Sequence, residues 1–428
     1  MTTVSVEPPP QADRPKSRWG LWAHGDFRKL WIGETTSGLG TAVGNVALAL
    51  VAVVTLDASP FMVGVLTASA WVPWLFLGLL AGAWVDRWPR LKVMLVCDLL
   101  LLVLFGSVPV AGWFGALTMA HLIAVALLAG SVKVFFSTAY SAALPSLVAK
   151  PDLLEANVKL RSGESAAEIA GPGVAGLLSQ AFGAASGLLA DAVTYLVSAL
   201  CVATIETEEK PPPASERRGI LREIGEGVRF LVRDPYLRTL ASFAAVGNLG
   251  LNGIQAVQTV FLVRSVGVTP GGVGAVFAVV SIGGLAGAAL AGRIARRLGT
   301  ARGLLLCELV VAPFIFLLPL AGERLPLPVS AVAWSVAVCG VIAGNVIAGS
   351  FYQAYCPPAM IGRIRASAST VNFSAIPLGA LLGGWLGEVL GARTTIWIMA
   401  GVLMSAGGVL LASPLRGLRN FPERPASS

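Results

Sequence analysis

The chain has 428 residues, of which 55% are hydrophobic and 13% charged, with 49 glycines and a mean hydropathy of +0.77. A soluble domain carries about a quarter of its residues charged, so this composition excludes a water-soluble fold and points to an all-α integral membrane protein. The net charge of +8 belongs to loops beside anionic lipid and calls for no nucleic acid.

Residues 1–26 are polar and Pro-rich, have no apolar core of a signal segment, and read as a disordered tail. Apolar runs able to cross about 30 Å of hydrocarbon then recur at 28–55, 61–85, 91–113, 117–145, 157–183 and 185–205. A second set follows at 236–264, 270–294, 303–321, 327–352, 364–390 and 393–413. The spacing predicts twelve transmembrane helices in two six-helix halves, 27–205 and 236–413. The stretch 206–235 is a Pro-rich linker with an amphipathic helix, in which Ile220, Ile224, Val228 and Leu231 share one stripe. Residues 414–428 form a short C-terminal tail.

Lys and Arg sort to alternate loops: Arg87, Arg90 and Lys92; Lys150, Lys159 and Arg161; Arg293, Arg296, Arg297 and Arg302; Arg363 and Arg365. The opposite loops hold only Arg264, Arg324 and Arg393. Basic residues stay cytoplasmic, so both termini and the linker are expected on that side.

The two halves repeat. Gly82–Lys92 overlays Gly292–Arg302 at an offset of 210 positions, and without a gap Pro60, Val63 and Gly64 fall on Pro270, Val273 and Gly274. Cys97 and Asp98 fall on Cys307 and Glu308, and Pro109 falls on Pro319. Parallel six-helix repeats are the pattern of secondary transporters that bind substrate between halves near the midplane.

The fifth span carries Glu164 and Glu168 one turn apart, followed by Gly171, Pro172, Ala175 and Gly176. At 1.5 Å per residue Glu168 lies roughly 15–20 Å into the helix, where an ionised carboxylate facing lipid costs about 2.5–3.5 kcal/mol or more. A water-accessible cavity relieves that cost, and a carboxyl group there can bind and release a proton as access alternates. Two other roles stay open: structural pairing, as Lys133–Glu168 or Lys133–Asp98, and direct recognition of cargo. Glu34 lies one or two turns inside the first span and suits a cytoplasmic vestibule, whereas Asp191 has no assignable role. Pro172 removes a backbone donor and favours a bend. Trp71, Trp74, Trp385 and Trp397 read as interface or core residues, with one or two of them able to line a cavity.

No Walker spacing, no zinc-like cysteine spacing and only two histidines are found. Nucleotide, metal and cofactor chemistry are therefore not expected, and no nucleophile–base set suggests an enzyme.

Residues 25–415 resemble the major facilitator superfamily. The loop between spans 2 and 3 is similar to the family signature through Gly82, Asp86, Arg87, Arg90 and Lys92, with Pro89 where the family usually has Gly. Gly171-Pro172-Gly173-Val174-Ala175-Gly176 resembles the helix-5 antiporter signature. "FRKLWIGETTSGLG", "LPSLVAKPDLLEAN" and "DAVTYLVSAL" are similar to twelve-helix drug:proton antiporters, including macrolide and enterobactin exporters. The resemblance implies a gate in which Asp86 meets the N-terminus of span 11, a contact worth about 0.3–1 kcal/mol. Gly292, Arg296, Arg297, Arg302 and Glu308 are the repeat counterparts of this loop and of Asp98. The implied activity is export of drug-like or natural-product molecules across a bacterial-type cell membrane by proton antiport, the protein acting as a monomer. Alternatives are a siderophore or metabolite exporter with other ion coupling, or a non-pumping sensor or channel on the same scaffold.

Overall fold

The computed structural model describes residues 20–85, 87–206, 229–356 and 361–422. Asp86, and the linker positions Ile220, Ile224 and Val228, lie outside the described residues. The first six helices are α1 (Gly25–Leu50), α2 (Pro60–Val85), α3 (Arg90–Trp113), α4 (Met119–Leu147), α5 (Leu153–Phe182) and α6 (Ser186–Ala203). The second six are α7 (Pro235–Val260), α8 (Pro270–Leu298), α9 (Thr300–Leu306, extended by Cys307–Val311 and Ala312–Leu320), α10 (Leu327–Tyr355), α11 (Ile361–Leu390) and α12 (Ala392–Leu411). Each expected span corresponds to one helix, with ends moved by a few residues.

Among the described residues, eleven helices are long and apolar enough to cross a membrane. The exception is α5, whose first half carries Glu155, Lys159, Arg161, Glu164 and Glu168. This helix packs on α1 on one flank and α8 on the other, and Glu155, Arg161 and Glu168 of its polar half stay exposed.

In the first set α1 packs on α5 and α6, α3 on α4 and α6, and α2 on α4. In the second set α7 packs on α11 and α12, α8 on α10, and α9 on α10 and α12. The sets meet chiefly along two seams, α2–α11 and α5–α8.

The repeat extends further toward the N-terminus than the sequence match. α1 ends in a π-turn at Val51–Thr55 and α7 in one at Phe261–Ser265, again 210 positions apart. Beyond these turns Asp57 (φ 46°) and Gly267 (φ 79°) occupy equivalent left-handed positions. The third and ninth helices break the symmetry. α3 is a continuous α-helix, whereas α9 passes through a π-turn and then 3-10 turns. Pro313 in α9, where α3 has Val103, explains the difference: it has no N–H to give and its ring crowds the preceding turn.

We call the end where α1 begins and α12 finishes the near end, and the opposite end the far end. At the far end one buried cluster draws on both sets, including Leu50, Leu122 and Leu188 with Phe261, Val273 and Ile396. At the near end the cores are separate. Phe27, Leu30, Met94 and Leu160 form one, and Leu237, Phe243, Leu304 and Phe351 form the other. Shared packing at one end and separate packing at the other describe two halves that converge at the far end.

Candidate transport site between the two halves

The far-end convergence rests on backbone approach at glycines. A Cβ on Gly64 of α2 would lie 2.6 Å from the carbonyl oxygen of Ala380 on α11, and one on Gly384 would lie 2.9 Å from Gly64 Cα. In the other seam, a Cβ on Gly274 of α8 would lie 2.5 Å from the Pro172 carbonyl oxygen, and one on Gly176 would lie 2.8 Å from Gly274 Cα. Such contacts need residues without side chains. Ala68, Ala256 and Ala380 extend the first seam inward as a small buried cluster.

A polar latch crosses the halves beside these seams. Arg264, in the π-turn after α7, donates to Asp57 Oδ1 at 2.6 Å, to the Ala58 carbonyl at 2.9 Å and to the Val53 carbonyl at 3.5 Å. The left-handed backbone at Asp57, tolerated by Asp through its short polar side chain, turns the carboxylate toward the arginine. A second link joins the Phe61 amide to Glu388 Oε2 at 3.3 Å.

Deeper along the α2–α11 seam, Trp71 and Trp74 both pack on Phe373, with ring centroids 6.2 Å and 5.7 Å away. These two tryptophans therefore bridge the halves instead of marking a lipid interface. Trp385 is exposed, and Trp397 stacks on Phe316 within the second half.

On α5, Gly163 packs on Thr35, and Gly171 packs on Ala42. Ala175 is fully buried, and the helix runs unbroken from Leu153 to Phe182 through Pro172. Pro172 leaves the Glu168 carbonyl without its usual in-helix donor. The outward arc of this helix carries the exposed Ala166, Ala170 and Leu177. At 3.6 residues per turn Glu164 and Glu168 lie on the opposite arc, between the α1 and α8 flanks. Glu168 is exposed there and accepts no hydrogen bond among the described residues. Glu164 pairs with Arg161 on its own helix at 2.8 Å, and its charge reaches Glu34 on α1 and Tyr140 on α4.

The other charged positions gather inside the first half. Asp98 is fully buried and accepts from Ser198 Oγ at 2.7 Å through Oδ2, while Oδ1 has no partner. Asp191 is also fully buried, with both oxygens unpartnered by hydrogen bonds. Lys133 stands over the Phe105 ring at 5.2 Å, close enough to Asp191 for their charges to interact. Phe105 stacks on Tyr195, whose hydroxyl lies 2.8 Å from Thr41 Oγ1. Glu34 is half-buried with Oε1 unpartnered.

This arrangement differs from the pairings weighed from sequence. Lys133 interacts with Asp191 through charge, without a direct ion pair, and forms no ion pair with Glu168 or Asp98 among the described residues. α4 packs chiefly on α2 and α3 rather than on α5, which keeps Lys133 away from the α5 acids. Asp98 and Glu308 also differ locally: Asp98 accepts from Ser198, whereas Glu308 lies in the π-turn of α9 with no hydroxyl donor among the described residues. Arg264 was missed as a functional residue, although its rarity among the opposite-side loops was the available signal.

The loop signature is partly described. Gly82 has open space at its Cβ position, Arg87 and Lys92 are exposed, and Arg90 donates to the Ala142 carbonyl at 2.8 Å, tying the loop to α4. Its counterparts Gly292, Arg296, Arg297 and Arg302 are exposed. The adjoining backbone of Ala301 bonds to the Arg419 carbonyl at 3.2 Å, so the C-terminal segment braces the second loop.

Comparison with known proteins places this geometry. A family model described as transmembrane secretion effector matches residues 16–425. The multidrug efflux pump Tap of Mycobacterium tuberculosis is 27% identical over 396 residues, covering 87% of this chain and 91% of Tap. The enterobactin exporter EntS of Escherichia coli is 27% identical over 426 residues, covering 95% of each chain. Among solved structures, a bacterial homologue of the iron transporter ferroportin in its inward-facing state superimposes with a TM-score of 0.73 at 15% identity, covering 90% of this chain and 98% of that one. The outward-facing state gives 0.58 at 17% identity, with the same coverage. The chain belongs to the transmembrane secretion effector family of the major facilitator superfamily, and is a multi-pass membrane transporter rather than an enzyme.

Proposed function

We propose that this transporter exports drug-like or natural-product molecules from the cytoplasm, using proton antiport and alternating access between its halves, as a single chain. The observation that carries the reading is the placement of Glu168: an exposed, unpaired carboxylate, turned away from the outward arc of α5, near the middle of a helix flanked by both halves. The alternating Lys and Arg loops put the near end in the cytoplasm. The described conformation is then closed outside and parted inside, in keeping with the better match to an inward-facing relative structure.

Cargo enters from the near end and meets Trp71, Trp74 and Phe373 along the α2–α11 seam. Glu168 is in reach of water in this state and exchanges its proton with the cytoplasm. Movement of α5 against α8 returns the same carboxyl to the other side. Direction comes from a difference in affinity between the two access states. Glu164, Glu34 and the Lys133–Asp191 pair set the electrostatic field of that exchange. The Asp86 gate and the boundaries of the two halves remain part of this proposal.

The experiment is efflux in everted vesicles with an imposed proton gradient. Glu168→Gln abolishes gradient-driven cargo movement while cargo binding to the purified protein persists. Wild-type rate and pH dependence in that variant would show Glu168 to be structural. The similarity to EntS supports a second cargo class, so siderophore competition against a dye and antibiotic panel assigns the substrate.

A further inference from the structure

A cavity in the second half is lined by Phe243, Asn248 and Leu251 of α7, Glu308 of α9, and Asn345 of α10, with Leu403 of α12 behind. Its free volume is about 20 Å³, enough for one water-sized body. Glu308 is only 2% exposed, yet its carboxylate lines this space and has no hydrogen bond or ion pair among the described residues. A buried carboxylate without a partner is expensive, so the cavity needs an occupant that compensates it.

The neighbouring asparagines can each turn a carbonyl oxygen toward this space. The Asn248 amide nitrogen donates to the Ala244 carbonyl at 3.0 Å and to Asn372 Oδ1, and its carbonyl oxygen accepts no hydrogen bond among the described residues. The side chain of Asn345 is exposed at the cavity mouth. The π-turn adds a backbone acceptor: Ala312 gives its N–H to the Cys307 carbonyl, and Pro313 has none, so the Glu308 carbonyl loses its ordinary helical donor. π-turns often accompany functional sites. Gly344 makes room for the acid, because a Cβ there would lie 2.8 Å from Glu308 Oε1. Oxygen acceptors converging on a space for one water suit a small hard cation.

We infer that Glu308, Asn248 and Asn345 form a binding site for a sodium ion in the second half, reached from between the halves. Binding is read without transport, so this site stands or falls separately from the export reading.

The test uses the full-length protein in lipid nanodiscs at fixed pH, with sodium chloride exchanged for choline chloride at constant ionic strength. Sodium raises the thermal unfolding midpoint saturably, as expected for a ligand of the native state. Glu308→Gln removes the effect. Asn248→Val and Gly344→Ala each raise the half-saturating sodium concentration at least tenfold, and they carry the test should Glu308→Gln fail to fold. Glu323→Gln, in a far-end loop, keeps the wild-type curve. An equal response to choline, or an unchanged sodium curve in all three cavity variants, would overturn the site.

Discussion

The backbones of Gly176 and Gly274 touch: a Cβ on Gly274 would lie 2.6 Å from Gly176 Cα and 2.5 Å from the Pro172 carbonyl oxygen. Gly64 and Gly384 make the equivalent contact in the other seam, and Gly64 is the repeat counterpart of Gly274. In both seams a proline carbonyl, that of Pro60 or Pro270, lies 3.0 Å from the Cβ position of the facing glycine. The far end therefore closes on two related small-residue crossings.

Gly274→Val places a side chain where the α5 backbone now lies. Overpacking of this kind costs about 1–3 kcal/mol, and here only the closed far end bears the cost. The population shifts toward the far-end-open state by roughly ten- to a hundredfold. Distances between spin labels on the 183–185 and 266–269 loops should lengthen in the variant, while the near-end pairs shorten. Unchanged distance distributions would show that the crossing does not limit closure.

Arg264 holds the opposite half through two backbone carbonyls as well as a carboxylate, so the arginine matters more than its acid partner. Asp57 is 91% exposed in its side chain, and an exposed ion pair contributes about 0.2–1 kcal/mol. Arg264→Ala should open the far end more than Asp57→Asn, read as faster thiol labelling of a cysteine introduced at Ala58. Asp57→Gly suits the left-handed backbone and should be milder than Asp57→Val. Equal labelling in Arg264→Ala and wild type would remove the latch.

Lys133 and Asp191 should couple. Removing Lys133 leaves the fully buried Asp191 without its compensating charge, at a cost below the about 3–5 kcal/mol of a direct buried pair. Lys133→Met and Asp191→Leu should each lower the detergent-solubilised unfolding midpoint sharply, and the double variant should recover much of the loss. Additive losses would mean that the two charges do not stabilise one another.

Trp71, Trp74 and Phe373 offer the aromatic surface between halves. Truncating one ring of a stacked pair removes about 0.5–1.5 kcal/mol beyond its area. Phe373→Ala should weaken binding of an aromatic cargo by about tenfold, whereas Trp397→Ala, outside the seam, should leave it unchanged. Fluorescence quenching with a dye panel measures both.

Membrane class, the twelve helices and the parallel repeat were legible in the sequence. Hydropathy is a property of each segment alone, and the repeat is identity at a fixed offset, so neither needs a contact to be known. The acid-bearing face of α5 was legible for the same reason, because Glu164, Glu168, Gly171 and Ala175 fall at i, i+4, i+7 and i+11. Partnership was not. Lys133 and Asp191 stand 58 positions apart, and Arg264 meets Asp57 across 207. Which groups meet depends on how each helix is rotated and on where glycines let backbones cross, and no single segment carries that information. The π-turn of α9 shows both sides: Pro313 announces a break in sequence, but only the packing of α7, α10 and α12 around it places Glu308 against a cavity.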